Sequence, residues 1–222
     1  DIVWRFDLIT EVDVVPHDVC GSSPLVLGDY VYACTSNGQD GRHAKIANPT
    51  APSLVVLNKR TGKLAAVEAE KMGYRIVHGN WSAPVAGRFG GRDMVLFAGG
   101  DWTLYAFEPF KPATGSAGVG KLKKIWQQEC CPKEYRIRNG KPIAYSSWRS
   151  RSPDGPSEII AIPTVHDGKI YTTIGQSPVH GAGQGALSCI DGKTGKKVWE
   201  NRKVDRSLAN VLIHDGLAYV PD

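Results

Sequence analysis

The chain has 222 residues, is 41% hydrophobic and 22% charged, and carries a net charge of +5. That is enough apolar material for a core and too little charge to hold the chain open, which excludes a disordered protein. No apolar run approaches the about 20 residues of a membrane-spanning helix. Lys and Arg are scattered, with no run longer than Lys123-Lys124, so a solvated surface is expected rather than nucleic-acid binding.

The chain opens without an initiator Met, directly on the strand-like Val3-Trp4-Arg5-Phe6. Its N-terminus is therefore expected to be processed, trimmed or missing. Residues 1–8 read as the outer strand of a preceding sheet. Residues 20–70 form the first complete unit. Leu25-Val26-Leu27 and Tyr30-Val31-Tyr32 flank Gly28-Asp29, a hairpin signal because both residues tolerate positive φ. Leu54-Val55-Val56-Leu57 is a third strand, and Thr61-Gly62-Lys63 turns it into a fourth. Residues 82–128 repeat the unit around the turn Gly90-Gly91, with Leu104-Tyr105-Ala106-Phe107 as third strand and a Gly-rich insertion before Ile125-Trp126. Residues 159–204 repeat it most clearly, around Asp167-Gly168 and then Asp191-Gly192-Lys193-Thr194-Gly195-Lys196-Lys197-Val198-Trp199. Residues 208–222 hold the first two strands of a further copy around Asp215-Gly216. Trp4, Trp126 and Trp199 take equivalent outer-strand positions. A four-stranded antiparallel sheet cannot bury both faces alone, and radial stacking of such sheets gives an all-β fold, a β-propeller.

The pattern ending in Asp-x-x-Thr-Gly-Lys-x-x-Trp resembles the pyrroloquinoline-quinone (PQQ) repeat of quinoprotein-like propellers. The segments His78-Gly79-Asn80-Trp81-Ser82-Ala83-Pro84, Ala98-Gly99-Gly100-Asp101-Trp102-Thr103-Leu104-Tyr105-Ala106-Phe107 and Gly175-Gln176-Ser177-Pro178-Val179-His180-Gly181 resemble secreted, planctomycete-type PQQ-repeat propeller proteins. The resemblance covers essentially the whole chain. It implies about seven or eight blades in a closed ring, so about three to four blades here would be a partial propeller, its remainder supplied by a longer or associated chain; a small closed four-bladed ring is the alternative. It implies a periplasmic or extracellular location, and by family name PQQ held with calcium. The implied functions are a ligand- or partner-binding scaffold, a quinoprotein dehydrogenase or polysaccharide-active enzyme, or an envelope assembly protein.

Strand order separates two faces. The short a–b turns lie on one. The b–c loops 36–53 and 176–186 and the connections 9–22, 70–82 and 127–159 lie on the other, where a small molecule, saccharide or protein partner is expected. His17, His43, His78 and His180 all fall in those long segments, as an acid–base or metal-binding group or as ordinary loop histidines. His78 and His180 are the expected metal pair. His166 and His214 sit in turns on the plain face. In the segment around Gly79, Asn80 and Trp81 are ligand candidates, the Trp either a stacking surface or a lock on the blade junction. The connection 127–159 is basic and aromatic, and its Arg136 and Arg149 are candidates for an anionic ligand such as an acidic sugar. The resemblance raises a vicinal disulfide, Cys130–Cys131; the alternative is that one of the pair bridges to Cys20, Cys34 or Cys189.

Overall fold

The structure is a computed structural model that describes residues 1–18, 21–115 and 118–222. It is a partial β-propeller built from four-stranded antiparallel blades. The first blade is β1 (Leu25–Leu27), β2 (Tyr30–Cys34), β3 (Leu54–Asn58) and β4 (Leu64–Val67), hydrogen-bonded in that order. The second contains β5 (Val85–Phe89), β6 (Arg92–Ala98), β7 (Thr103–Phe107) and β9 (Lys124–Glu129). Between its last two strands, β8 (Gly120–Lys121) leaves to pair in parallel with β4 of the first blade. A small ribbon, β10 (Ile137–Arg138) and β11 (Lys141–Pro142), lies in the connection to the third blade. That blade is β12 (Thr164–His166), β13 (Lys169–Ile174), β14 (Ala186–Asp191) and β15 (Lys197–Asn201). The hairpin β16 (Leu212–His214) and β17 (Leu217–Tyr219) follows.

The second blade explains its own sequence. Met94 to Ala98 and Leu104 to Phe107 are unbroken apolar runs, and all are buried. Alternate side chains of a strand point to opposite faces, and here both faces are covered. Val95, Phe97, Tyr105 and Phe107 pack on Tyr32, Leu54, Val56 and Met72 of the first blade and its exit. Leu96, Ala98, Leu104 and Ala106 pack on Ile159, Ile170, Ile174 and Ile190 of the third blade and its entry. A blade sandwiched between two others needs no polar face, so the alternation expected of a half-exposed strand is lost.

The Thr-Gly-Lys turns work at the junctions. Trp4 Nε1 donates to Lys59 O at 2.8 Å, and its ring lies 2.7 Å from where a Cβ on Gly62 would stand. Trp126 Nε1 donates to Gly192 O at 3.2 Å, and its ring lies 2.5 Å from a Cβ on Gly195. Gly62 and Gly195 have φ of 70° and 73°, so the turn needs glycine for conformation and for room.

Residues 3–6 join no sheet here, and the chain enters a short helix, α1 (Leu8–Val12), capped by Asp7 Oδ1. Two expectations change. The long segments are not confined to one face, since the third-to-fourth-strand insertion 108–123 is a long one on the a–b side. The disulfide is not formed: Cys130, Cys131 and Cys189 are buried thiols. Cys130 N is tied to Trp102 O at 2.9 Å, and the two neighbouring sulfurs face different carbonyls, Gln128 O and Pro132 O. Cys34 Sγ donates to Asn80 O at 3.5 Å. Cys20 lies outside the described residues.

Candidate functional site

Three segments of the long-loop face are laced together by isolated β-bridges, Pro16 to Asn37 and Gly38 to Gly79. Gly38 makes the lacing feasible. A Cβ there would stand 2.6 Å from His78 O and 2.7 Å from the His17 Cβ. The result brings His17, Gln39 and His78 side by side. His43 joins them from the first blade's second-to-third-strand loop, on a turn held by His43 N to Asp40 O at 2.8 Å and by Asp40 Oδ1 accepting from Ala44 N at 2.9 Å. His43 has φ of 55°, a left-handed conformation uncommon outside glycine.

His17 Nε2 and His78 Nε2 are 2.9 Å apart, and His43 Nδ1 is 3.3 Å from His78 Nε2. The three nitrogens all lie within 4.8 Å of one another. His17 and His78 are buried, at 4% and 2% exposure, while His43 is open to solvent. The far nitrogens are tethered. His17 Nδ1 meets Gln39 O at 2.9 Å. His78 Nδ1 meets the Tyr145 hydroxyl at 3.1 Å, and that hydroxyl donates to Glu158 Oε1 at 2.8 Å. Asp18 Oδ2 approaches His17 Nε2 to 3.5 Å. Trp81 backs the pair: its indole donates to His17 O at 3.2 Å, and its ring meets the His78 ring edge-on at 5.0 Å.

Burial holds His17 below the ordinary imidazole range, helped by the neighbouring His78 and opposed by Asp18. His180, on a single 3₁₀ turn (Pro178–His180), is lowered to about 4 by burial first and then by His78 and Arg206. Burial, and then the Glu158 charge, push the Tyr145 phenol well above its usual value, so it remains a donor. Neutral imidazole is the form that binds metals or accepts protons.

A cavity of about 300 Å³ opens over this group, lined by Gln39, Arg42, His43, His78, Tyr145, Trp148, Arg149 and His180 among others. The Arg149 guanidinium lies 4.8 Å over the Trp148 ring. Larger hollows of about 480 and 460 Å³ lie around Pro109, Phe110 and Lys111 on the opposite face. Glu108, which lines the larger of the two, is already paired with Arg92 and Lys123, and no histidine lines either.

The sequence candidates divide accordingly. His17, His43, His78, His180, Trp81 and Arg149 gather at this place. Of the expected metal pair, the His78 and His180 rings lie 5.0 Å apart at the centroids, but the nitrogens nearest His78 Nε2 are those of His17 and His43. Asn80 is removed from ligand contact. Fully buried, it donates to Asn37 O and Ser53 Oγ and accepts from Gly100 N, fastening the first blade to the second. Arg136, on the short helix α2 (Lys133–Arg136), pairs with Glu129 and lies 5.1 Å over the Trp102 ring, outside the cavity lining. Gln39, Tyr145 and Glu158 were not singled out as site residues. Only tertiary pairing brings them here, although Tyr145 stands in the aromatic, basic connection.

Calcium takes six to eight oxygen ligands, whereas the donors that converge here are imidazole nitrogens. The histidine cluster therefore does not fit calcium.

No family model matches the chain, and no curated protein matches it. Among solved structures it is similar to BamB from Moraxella catarrhalis, with TM-score 0.48 and 16% identity over 85% of this chain and 41% of that one. It is also similar to the quinohemoprotein alcohol dehydrogenase from Comamonas testosteroni, with TM-score 0.47 and 16% identity over 84% of this chain and 21% of that one. The chain thus spans less than half the length of either. No helix among the described residues is long and apolar enough to cross a membrane.

Proposed function

We propose that this chain is a binding propeller whose long-loop face receives a small anionic ligand, of the class of carboxylate-bearing saccharides. One observation carries the reading: the cavity over the histidines has Arg42 and Arg149 among its lining, with imidazoles and the Tyr145 hydroxyl beside them. Guanidinium forks match carboxylates, and an exposed Trp148 beside them offers a flat face to a sugar ring. The net charge of +5 favours approach of an anion. The reading includes a periplasmic or extracellular location and kinship with the secreted planctomycete-type repeat proteins, on the segments around His78 and Asp101. Titration calorimetry with glucuronate or galacturonate oligosaccharides against neutral ones tests it. Binding of the acidic series, weakened about tenfold or more by Arg149→Ala, is expected; equal affinity for neutral and acidic sugars, or none for either, overturns it.

A second reading, acid–base chemistry on the same ligand, is favoured by Tyr145 and His180 sharing the cavity with ring centroids 5.4 Å apart. It predicts slow cleavage of the acidic polymer that Tyr145→Phe abolishes with binding retained.

A further inference from the structure

We infer that His17, His43 and His78 are the ligand set of a zinc-type divalent metal ion, positioned by a relay that runs from Glu158 through Tyr145. A neutral imidazole carries one N–H, and the contacts assign its place on His17 and His78. Gln39 O only accepts, so His17 holds its proton on Nδ1. Tyr145 gives its hydroxyl proton to Glu158 Oε1, so its oxygen accepts from His78 Nδ1. Both Nε2 atoms then present lone pairs to each other at 2.9 Å. Two lone pairs at that distance repel unless a cation lies at the point they both face. His43 Nδ1 stands 3.3 Å from the same His78 Nε2, where an ion would take its lone pair as the third, and the Asp18 carboxylate stands 3.5 Å from His17 Nε2.

The 3.3 Å between His43 Nδ1 and His78 Nε2 suits a first-row ion, and the 2.9 Å between His17 and His78 would open by a few tenths of an ångström on binding. Zinc–nitrogen bonds of about 2.0–2.1 Å at tetrahedral angles put ligand nitrogens about 3.3 Å apart. Imidazole donors select zinc, copper, nickel or iron over calcium and magnesium. Carbonyl and carboxylate groups behind ligating imidazoles, as Gln39 O and Glu158 are here, are what orient such ligands and make them more basic. His43 and His78 line the cavity and His17 does not, so an ion held by all three would sit at the edge of the cavity. Among the described residues the three histidines form the ligand set, with the Asp18 carboxylate beside it; a fourth position left to an exogenous group is the catalytic zinc pattern, and one closed by a side chain the structural pattern.

Metal binding is independent of the anionic ligand, and its test needs none. The full chain is stripped with a chelator, loaded with Zn(II), dialysed and analysed by elemental mass spectrometry; Co(II) loading is followed by visible absorption. One ion per chain is expected, with intense Co(II) bands of low coordination. His43→Ala, at an exposed position, should cost at least a hundredfold in affinity without altering the circular dichroism. Tyr145→Phe removes the relay and leaves all three ligands, and should weaken Zn(II) about 10- to 100-fold at unchanged stoichiometry. No stoichiometric metal overturns the inference and leaves a shared proton between His17 and His78. Metal retained at full affinity by His43→Ala overturns the ligand set. Unchanged affinity in Tyr145→Phe overturns the relay.

Discussion

Asn80 and the cysteine pair show how differently single residues report themselves. Asn80 stands between a candidate His and a candidate Trp, and its residue type suits a ligand contact as well as a scaffold. Only its burial and its three partners decide for the scaffold. Asn80→Ala leaves Gly100 N and Ser53 Oγ short of partners and is expected to cost about 2–4 kcal/mol in urea unfolding, since each buried group left unsatisfied costs about 1–3 kcal/mol. Cys130-Cys131 drew attention through adjacency, yet burial raises the two thiols to about 12 and about 11. Neither is expected to react with a thiol reagent at pH 8 until the protein unfolds, and a count of modified cysteines by mass spectrometry checks it. The four loop histidines were visible as a group because strand order alone assigns loops to faces. Which nitrogens meet was not, because that depends on rotamers and on Tyr145 and Gln39 arriving from elsewhere in the chain.

At the level of strands and turns, the repeated signals were local and therefore readable. Gly28-Asp29, Asp167-Gly168 and the two Thr-Gly-Lys turns all need backbone conformations that few residues adopt. β8 was not readable: Gly120-Lys121 has neither alternation nor a turn signature, and its partner β4 lies in another blade. The bridge around Gly38 was equally hidden, since a glycine in a long loop carries no periodic pattern. Gly38→Ala is expected to push the His17 and His78 segments apart, lowering stability by about 1–3 kcal/mol, as overpacking does. Thermal unfolding measures the cost. Gly195→Ala confronts the Trp126 ring as well as a φ of 73° and should cost at least as much in the same assay.

Across the molecule, several buried acids are shifted in one direction. Desolvation raises Tyr32, Tyr105, Cys130 and Cys131. A raised acid keeps its proton in the folded chain after the unfolded chain has lost it, so its contribution is complete below the unfolded value and lost as pH rises towards the folded one. With thiols starting from 9.0 and reaching about 11 and about 12, the urea midpoint is expected to fall progressively between about pH 9 and pH 12. A midpoint unchanged across that range would mean that these groups ionise as freely when folded as when unfolded. The tryptophan-on-glycine contact at the blade junctions carries a kinetic consequence. Trp126 reaches the next blade's turn, and each blade's strands pair with neighbours close in sequence, apart from the parallel arm of β8. Structure can therefore nucleate within one blade and spread to the next, as in linear repeat arrays. Hydrogen exchange should then resolve separate opening events, with the central blade, covered on both sides, the last to exchange.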